Sequence, residues 1–182
     1  MKTRYLTLND LENFRDDIIQ ACRDNPQITD YQGYLKLDNE DDIIQACANY
    51  IEADDSLVEG IFDNKEDYLF GFIVYDNIRL TDDGNSAELH LCTSRDIWGT
   101  DFITIYKGIL KFNLFNVLYA LVPAKCRTTI AFMKKLGFKK TGYIPKSIPY
   151  VTVKNEVKMF DQLIYVWNKC ITELDYNAKI ST

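Results

Sequence analysis

Between Ala87 and Phe138 the chain passes twice from an apolar, strand-like run through a short polar turn into an amphipathic, helix-like run, and only a few layered arrangements accommodate that order. Ala87-Glu88-Leu89-His90-Leu91-Cys92 alternates with the period of a strand and stops at polar Thr93-Ser94-Arg95. The chain then turns through Gly99 into Asp101–Phe115, where Phe102, Ile105, Tyr106, Ile109 and Leu110 recur at helical spacing. Such a turn aims several unpaired backbone N–H groups, and the positive end of the helix dipole, at one point in front of the strand. A pyrophosphate fits that point, held by main chain rather than by lysines. The second unit repeats the order. Val117–Val122 reads as a strand, Pro123-Ala124 ends it, and Arg127–Leu136 reads as a short helix closed by Gly137, the residue that a left-handed helix end favours.

This order resembles the acyl-CoA-binding core of the GNAT superfamily of N-acetyltransferases. In that family the first turn reads Arg or Gln, two residues, Gly, one residue, then Gly or Ala. Arg95 and Gly99 fall close to the pattern, while Trp98 stands at the first Gly and Thr100 at the second small residue. In the second unit Cys126 takes the place of a family Asn and Met133 that of a Tyr, and Leu136-Gly137-Phe138 is intact. The resemblance implies acetyl-CoA between the strands Ala87–Thr93 and Val117–Val122, its pyrophosphate on the N–H groups of Trp98, Gly99 and Thr100. It implies further cofactor contacts at Leu91, Cys92, Thr93, Arg95, Cys126, Arg127 and Met133. It also implies a single α/β domain of GNAT type, a mixed and mostly antiparallel sheet of about six to seven strands with helices on both faces.

The flanking segments fit the same plan. Arg4-Tyr5-Leu6 reads as a short strand, and Asn9-Asp10 opens a helix with Leu11, Phe14, Ile18 and Cys22 on one face, stopping before Asn25-Pro26. A second helix, Asp41–Ile51, buries Ile43, Ile44, Cys47, Tyr50 and Ile51. Its start repeats Asp16–Cys22 letter for letter as Asp41–Cys47. Two copies fall short of a solenoid, which takes about three stacked units, so these are two similar amphipathic helices. Ser56–Phe62 and Tyr68–Asp76 form a hairpin, and Thr81–Ser86 is a turn delivering the strand with Glu88. Tyr143–Tyr150 contains Pro145 and Pro149, which excludes a central strand and predicts a substrate-side loop. Met159–Trp167 is the last strand, and Asn177–Thr182 reads as a loose end. The whole of 1–182 is thus one domain: strand, two helices and hairpin over 1–86, the acyl-CoA core over 87–138, C-terminal strands over 139–170, and a tail over 171–182.

Composition narrows the partners. A length of 182 residues, 47% hydrophobic and 13% aromatic, supports one sizeable core and excludes disorder. A net charge of −6 without a basic block argues against nucleic acid as the main partner. The five cysteines are odd in number and never spaced as Cys-x-x-Cys, which predicts reduced, packed thiols in a cytoplasmic protein. One histidine and scattered acids give no metal-ligand spacing. The N-terminus shows no apolar signal region, and no apolar run is long enough to cross a bilayer, so no membrane role is expected.

Acetyl transfer to an amine asks for one base, one N–H donor to polarise the thioester and, optionally, one acid for the departing thiolate. On an alternating strand Glu88, His90 and Cys92 share one face, opposite Leu89 and Leu91. Family members often place a Glu on this strand, so the resemblance makes Glu88 the first candidate for general base. His90 is the only histidine, the residue type that exchanges protons near neutrality, and acts with Glu88 or in its place. Tyr143, Tyr150 and Tyr165 are alternatives for the acid missing at Met133. Structural roles compete with each reading: a hydrogen-bonded His90, an Arg95 paired with nearby acids, a lid or core Trp98. The expected function is transfer of acetyl from acetyl-CoA to a primary amine, on a small molecule, a peptide N-terminus or a lysine, by direct attack and without metal. The alternative is a protein that keeps the fold and has lost the chemistry, acting in assembly or on a host protein. The Tyr-, Asn- and Ile-rich style resembles acetyltransferase-like proteins of tailed bacteriophages, which would place it in host cytoplasm or a virion. The apolar runs Tyr68–Asp76 and Met159–Trp167 are expected to permit a homodimer.

Overall fold

In the computed structural model, which describes residues 1–25, 39–82, 84–98, 100–151 and 157–169, the alternating segments become strands and the periodic ones helices. The strands are β1 (Lys2–Tyr5), β2 (Leu57–Phe62), β3 (Leu69–Thr81), β4 (Gly84–Thr93), β5 (Val117–Pro123), β6 (Lys139–Val151) and β7 (Val157–Asn168). The helices are α1 (Leu8–Asn13), α2 (Arg15–Asp24), α3 (Glu40–Glu52), α4 (Thr100–Phe112) and α5 (Arg127–Lys135), with a 3-10 turn at Arg95–Ile97 between β4 and α4. One sheet holds all of these strands in the order β1-β2-β3-β4-β5-β7-β6. Its neighbours are antiparallel except β4 and β5, which run parallel.

Because successive side chains on a strand point to opposite faces, each interior strand feeds two cores. Ile73 and Tyr75 of β3 and Ala87 and Leu89 of β4 join Tyr106 and Leu110 of α4 and Met133 of α5 on one face. Phe72 and Val74 of β3 and Cys92 of β4 join Leu11, Ile18, Cys22, Ile43 and Cys47 on the other. The repeated heptapeptide explains itself here. Its two copies bring Ile18 and Ile43, both wholly buried, and Cys22 and Cys47 into the same apolar cluster from α2 and α3. Each isoleucine contributes about 1.5–3 kcal/mol of burial. The Sγ atoms of Cys22 and Cys92 lie 3.5 Å apart, and Cys22, Cys47, Cys92 and Cys126 are buried and form no disulfide among the described residues. Cys170, Asn177–Thr182 and Gly99 fall outside the described residues.

Several expectations need correction. The first helix is broken at Phe14, whose backbone (φ −118°, ψ 28°) leaves the helical region while its ring packs edge-on against Phe62, with centroids 5.2 Å apart. The helix expected to reach Phe115 ends at Phe112, because the Asn113 side chain donates to the Leu110 carbonyl and accepts from the Phe115 N–H. Tyr143–Tyr150 is strand rather than loop. Its prolines are tolerated because β6 is the outermost strand, and the register shifts between Ile144 and Ile148, around Lys146 at φ 43°. The runs expected to form a dimer edge lie in β3 and β7, which are interior, so β1 and β6 are the edges of the sheet. Gly137 does close α5 in the left-handed region: its N–H reaches the Lys134 carbonyl, and that of Phe138 the Met133 carbonyl.

The start of the chain is tied down by Asp10. Its carboxylate receives both terminal nitrogens of Arg4, at 2.9 and 2.8 Å, and the backbone N–H and hydroxyl of Thr7, each at 2.8 Å. The Arg4 guanidinium holds the Asp10 carboxyl down at about 2, against the opposing effect of burial. A carboxyl more acidic in the folded state favours folding while it is ionised, so its contribution is complete above about pH 4 and fades as pH falls through about 2. Asp10→Asn is expected to cost roughly 1–3 kcal/mol in urea unfolding at pH 7, with the gap to the parent protein narrowing as the titration is repeated towards pH 2. A gap independent of pH would assign the loss to packing instead.

Candidate active site

The parallel pairing of β4 and β5 is short. It joins Ser86 to Val117, Ala87 to Leu118 and Glu88 to Tyr119. Beyond Glu88, β4 stays bonded to β3 as far as Thr93 opposite Gly71, while β5 stays bonded to β7 as far as Pro123 opposite Gln162. The two strands therefore part, and their facing backbone edges are left for an extended ligand to bridge. Gly71 permits the outer side of this arrangement: at φ 153°, a Cβ there would sit 2.3 Å from the Cys92 carbonyl oxygen.

The turn that follows β4 is anchored from below by the end of α2. The Arg95 N–H donates to Asp24 at 2.9 Å, the Arg95 guanidinium lies 3.5 Å from the same carboxylate, and the Asn25 side chain donates to the carbonyls of Ala21 and Thr93. Ser94, buried, donates its N–H to the Phe70 carbonyl at 2.7 Å and accepts from the Asp96 N–H at 3.1 Å. The Trp98 N–H donates to the Arg95 carbonyl at 3.0 Å, so this amide already has a partner within the turn, and the exposed indole donates to the Thr93 hydroxyl at 3.3 Å. α4 begins at Thr100, which sets its positive end at the open end of β4.

The remaining residues expected at the cofactor are placed unevenly. Leu91 is half-buried against the α4 and α5 side, and Arg127 is exposed in the first turn of α5. Cys92, Cys126 and Met133 are packed into the cores, so any cofactor contact they make is through main chain. Met133, at 1% exposure, has no surface to lend where the family keeps a tyrosine.

Glu88 and His90 are brought together on the face covered by α1, α2 and α3. The His90 Nε2 lies 3.7 Å from Glu88 Oε1 and 3.8 Å from Asp76 Oδ2, with the three side chains 9%, 13% and 19% exposed. These separations exceed hydrogen-bond reach and are those of an ion-paired cluster when the ring is protonated. The imidazole, helped by the Asn77 N–H at 2.9 Å, holds the Asp76 carboxyl below the usual carboxylate range against desolvation. Asn77 is in the left-handed region (φ 52°) at a register shift between Asp76 and Arg79, and its amide donates to Glu88 Oε2 at 3.3 Å. Irregularities of this type commonly re-aim side chains at functional sites. Tyr119, directly across the parallel pair from Glu88, has its hydroxyl pKa raised by burial and then by the Glu88 charge. The ring of Tyr50 on α3 lies 6.4 Å from the imidazole. Asp76 and Tyr119 escaped sequence reasoning, although the hairpin through Thr81–Ser86 makes Asp76 the cross-strand partner of Glu88. Among the tyrosines considered as acids, Tyr165 is buried in the core and Tyr143 is exposed on the edge strand; the side chain of Tyr150 is outside the described residues. Among the described residues no group of three or more His, Cys, Asp or Glu is set to hold a metal, and no helix is long and apolar enough to cross a membrane.

No protein-family model and no curated protein matches the sequence, but solved structures do match the fold. A spermidine N-acetyltransferase from Vibrio cholerae, in complex with CoA and spermine, superposes with a TM-score of 0.69 at 16% identity, over 93% of this chain and 95% of that one. A probable acetyltransferase of the GNAT family from Chromobacterium violaceum gives 0.72 at 14% identity, over 92% and 82%. An acetyltransferase of the GNAT family from Bacillus anthracis gives 0.63 at 15% identity, over 92% and 93%. The chain has the GNAT acetyltransferase fold. The parted strands β4 and β5 and the turn into α4 lie within that fold. The neighbours named here are bacterial and lend no support to the bacteriophage part of the resemblance.

His90→Gln is expected to move the Asp76 titration upward, towards that of an ordinary aspartate, because the largest influence holding it down is removed. Carbon-detected NMR of the carboxyl reads this directly, and an unmoved titration would assign the effect to the Asn77 amide.

Proposed function

We propose that the protein transfers an acetyl group from acetyl-CoA to a primary amine by direct attack, with Glu88 as general base and His90 beside it. The observation that carries this reading is the parting of β4 and β5 immediately after Glu88, which puts the candidate base at the head of the gap. Glu88, with His90, accepts a proton from the ammonium form of the substrate. The freed nitrogen lone pair attacks the thioester carbonyl carbon, and a β4 backbone N–H left unpaired by the parting stabilises the oxygen that gains charge. The carbon–sulfur bond then breaks as the nitrogen gives up its second proton to water, leaving the neutral amide, and the thiolate takes a proton from Tyr119, the cross-strand partner of Glu88, which is restored from water. The CoA pantetheine would bridge the strand edges, with Leu91 and Thr93 along it, and the pyrophosphate would meet the amides of Gly99 and Thr100, with Arg95 and Arg127 as charged neighbours. Buried Cys92, Cys126 and Met133 would shape the gap from behind.

The V. cholerae neighbour binds CoA and spermine, which supports a cationic amine as acceptor, and the net charge of −6 suits one. The reading carries with it a cytoplasmic location, where acetyl-CoA and reduced thiols occur together. A second reading, a GNAT fold kept for binding alone, is favoured by two specific features: the Trp98 amide is spent within its own turn, and Met133 is buried where the family resemblance expects an acid.

Calorimetric titration separates the two. Saturable micromolar binding of about one acetyl-CoA per chain is expected, and Gly99→Asp, which sets a carboxylate against the phosphates, is expected to abolish it with the thermal midpoint retained. An absence of binding at millimolar ligand would select the second reading. In a steady-state assay with an amine acceptor, Glu88→Gln is expected to lower kcat about 10²–10⁴-fold and displace the pH profile. An unchanged rate would remove Glu88 as the base.

A further inference from the structure

A cavity of about 270 Å³ lies on the α4 side of the sheet, beside the β1 edge, and is lined by Tyr5, Glu59, Tyr75, Gly108, Leu114 and Phe115 among others. Tyr5 and Glu59 are cross-strand partners on β1 and β2, which makes their side chains neighbours on one face. The Tyr75 hydroxyl donates to Glu59 Oε2 at 2.9 Å, and the Tyr75 ring lies 5.0 Å from that of Phe115. Tyr5 and Leu114 are 48% and 62% exposed, so the cavity opens to solvent between them. Among the described residues no lysine or arginine lines it, and Glu59 takes part in none of their ion pairs.

Gly108 is the second observation. A glycine inside a helix costs about 1 kcal/mol relative to alanine. A Cβ at Gly108 would meet nothing within 4 Å among the described residues, so no packing contact among them accounts for the glycine. What the missing side chain does is keep the cavity open on its α4 side.

We propose that this cavity is a binding site for a small organic cation, an alkylammonium, distinct from the acyl-transfer gap. A carboxylate oriented by a tyrosine hydroxyl and surrounded by three aromatic rings offers such an ion both charge neutralisation and cation–π contact, while repelling anions. The raised pKa of the Tyr5 hydroxyl, through burial and then the Glu59 charge, agrees with a negative potential at the mouth. Gly108 is eight residues beyond Thr100, about 12 Å along α4 from the turn expected to hold pyrophosphate. The inference does not depend on acetyl transfer.

The test uses the full chain, two-dimensional amide NMR, and n-butylammonium and tetramethylammonium chlorides as probes, with n-butanol as the neutral comparison and with and without saturating CoA. Saturable shifts are expected at Tyr5, Glu59 and Gly108, persisting with CoA and absent with butanol. Glu59→Gln is expected to weaken binding at least about ten-fold. Gly108→Leu, whose side chain fills the space, is expected to abolish binding with the thermal midpoint kept or raised. Shifts confined to Glu88 and His90 and removed by CoA would overturn the proposal, as would no response up to about 100 mM probe, an equal response to butanol, or affinity unchanged in both variants.

Discussion

β4 and β5 share only Ser86–Glu88 and Val117–Tyr119 as a parallel ladder, and the geometry of the candidate site depends on what happens past that point. Each strand is held on its outer side by an antiparallel partner, β4 by β3 and β5 by β7, so neither is free to bend back and close the gap. The backbone groups along the opening stay unsatisfied by the sheet, which is costly unless water or a ligand meets them. α4 leaves from the end of one strand and α5 from the end of the other, and their apolar faces seal the sheet behind the gap. The opening is thus built by strand pairing rather than cut out of a core, and its walls are as stiff as the sheet.

The opposite face is covered by a device that the chain uses twice. The same seven residues form the starts of α2 and α3, and their isoleucines and cysteines converge on one cluster with β3 and β4. Hydrogen bonding to Cys22 and burial raise the Cys47 thiol well above its usual range, which keeps it neutral. The end of α2 then reaches across to the β4 turn through Asp24 and Asn25. Helical packing on one face therefore positions the loop that opens the other, and Arg95, exposed as its side chain is, begins from a fixed main chain.

Local patterning made part of the candidate site legible. Period-two alternation alone places Glu88 and His90 on a common face, because that depends on nothing beyond the strand itself. Asp76 and Tyr119 belong to other strands, and whether they meet Glu88 depends on register, which the bulge at Asp76–Arg79 shifts. The Arg95–Asp24 contact joins residues far apart in the chain and has no local signature. Prolines in Tyr143–Tyr150 correctly excluded a central strand, yet an edge strand and a loop carry the same local signal.

The sequence by itself determined the place of most strands and helices, though not strand β6 or the break at Phe14, together with the order that resembles a GNAT core and the left-handed closure at Gly137, since each is set by periodicity or by backbone conformation within one turn. Tertiary structure alone decided which strands are edges, how far β4 and β5 pair before parting, which acids surround His90, and that Gly108 faces open space beside Glu59. Those properties belong to pairs of segments distant in the chain, and their free energies exist only once the segments are in contact.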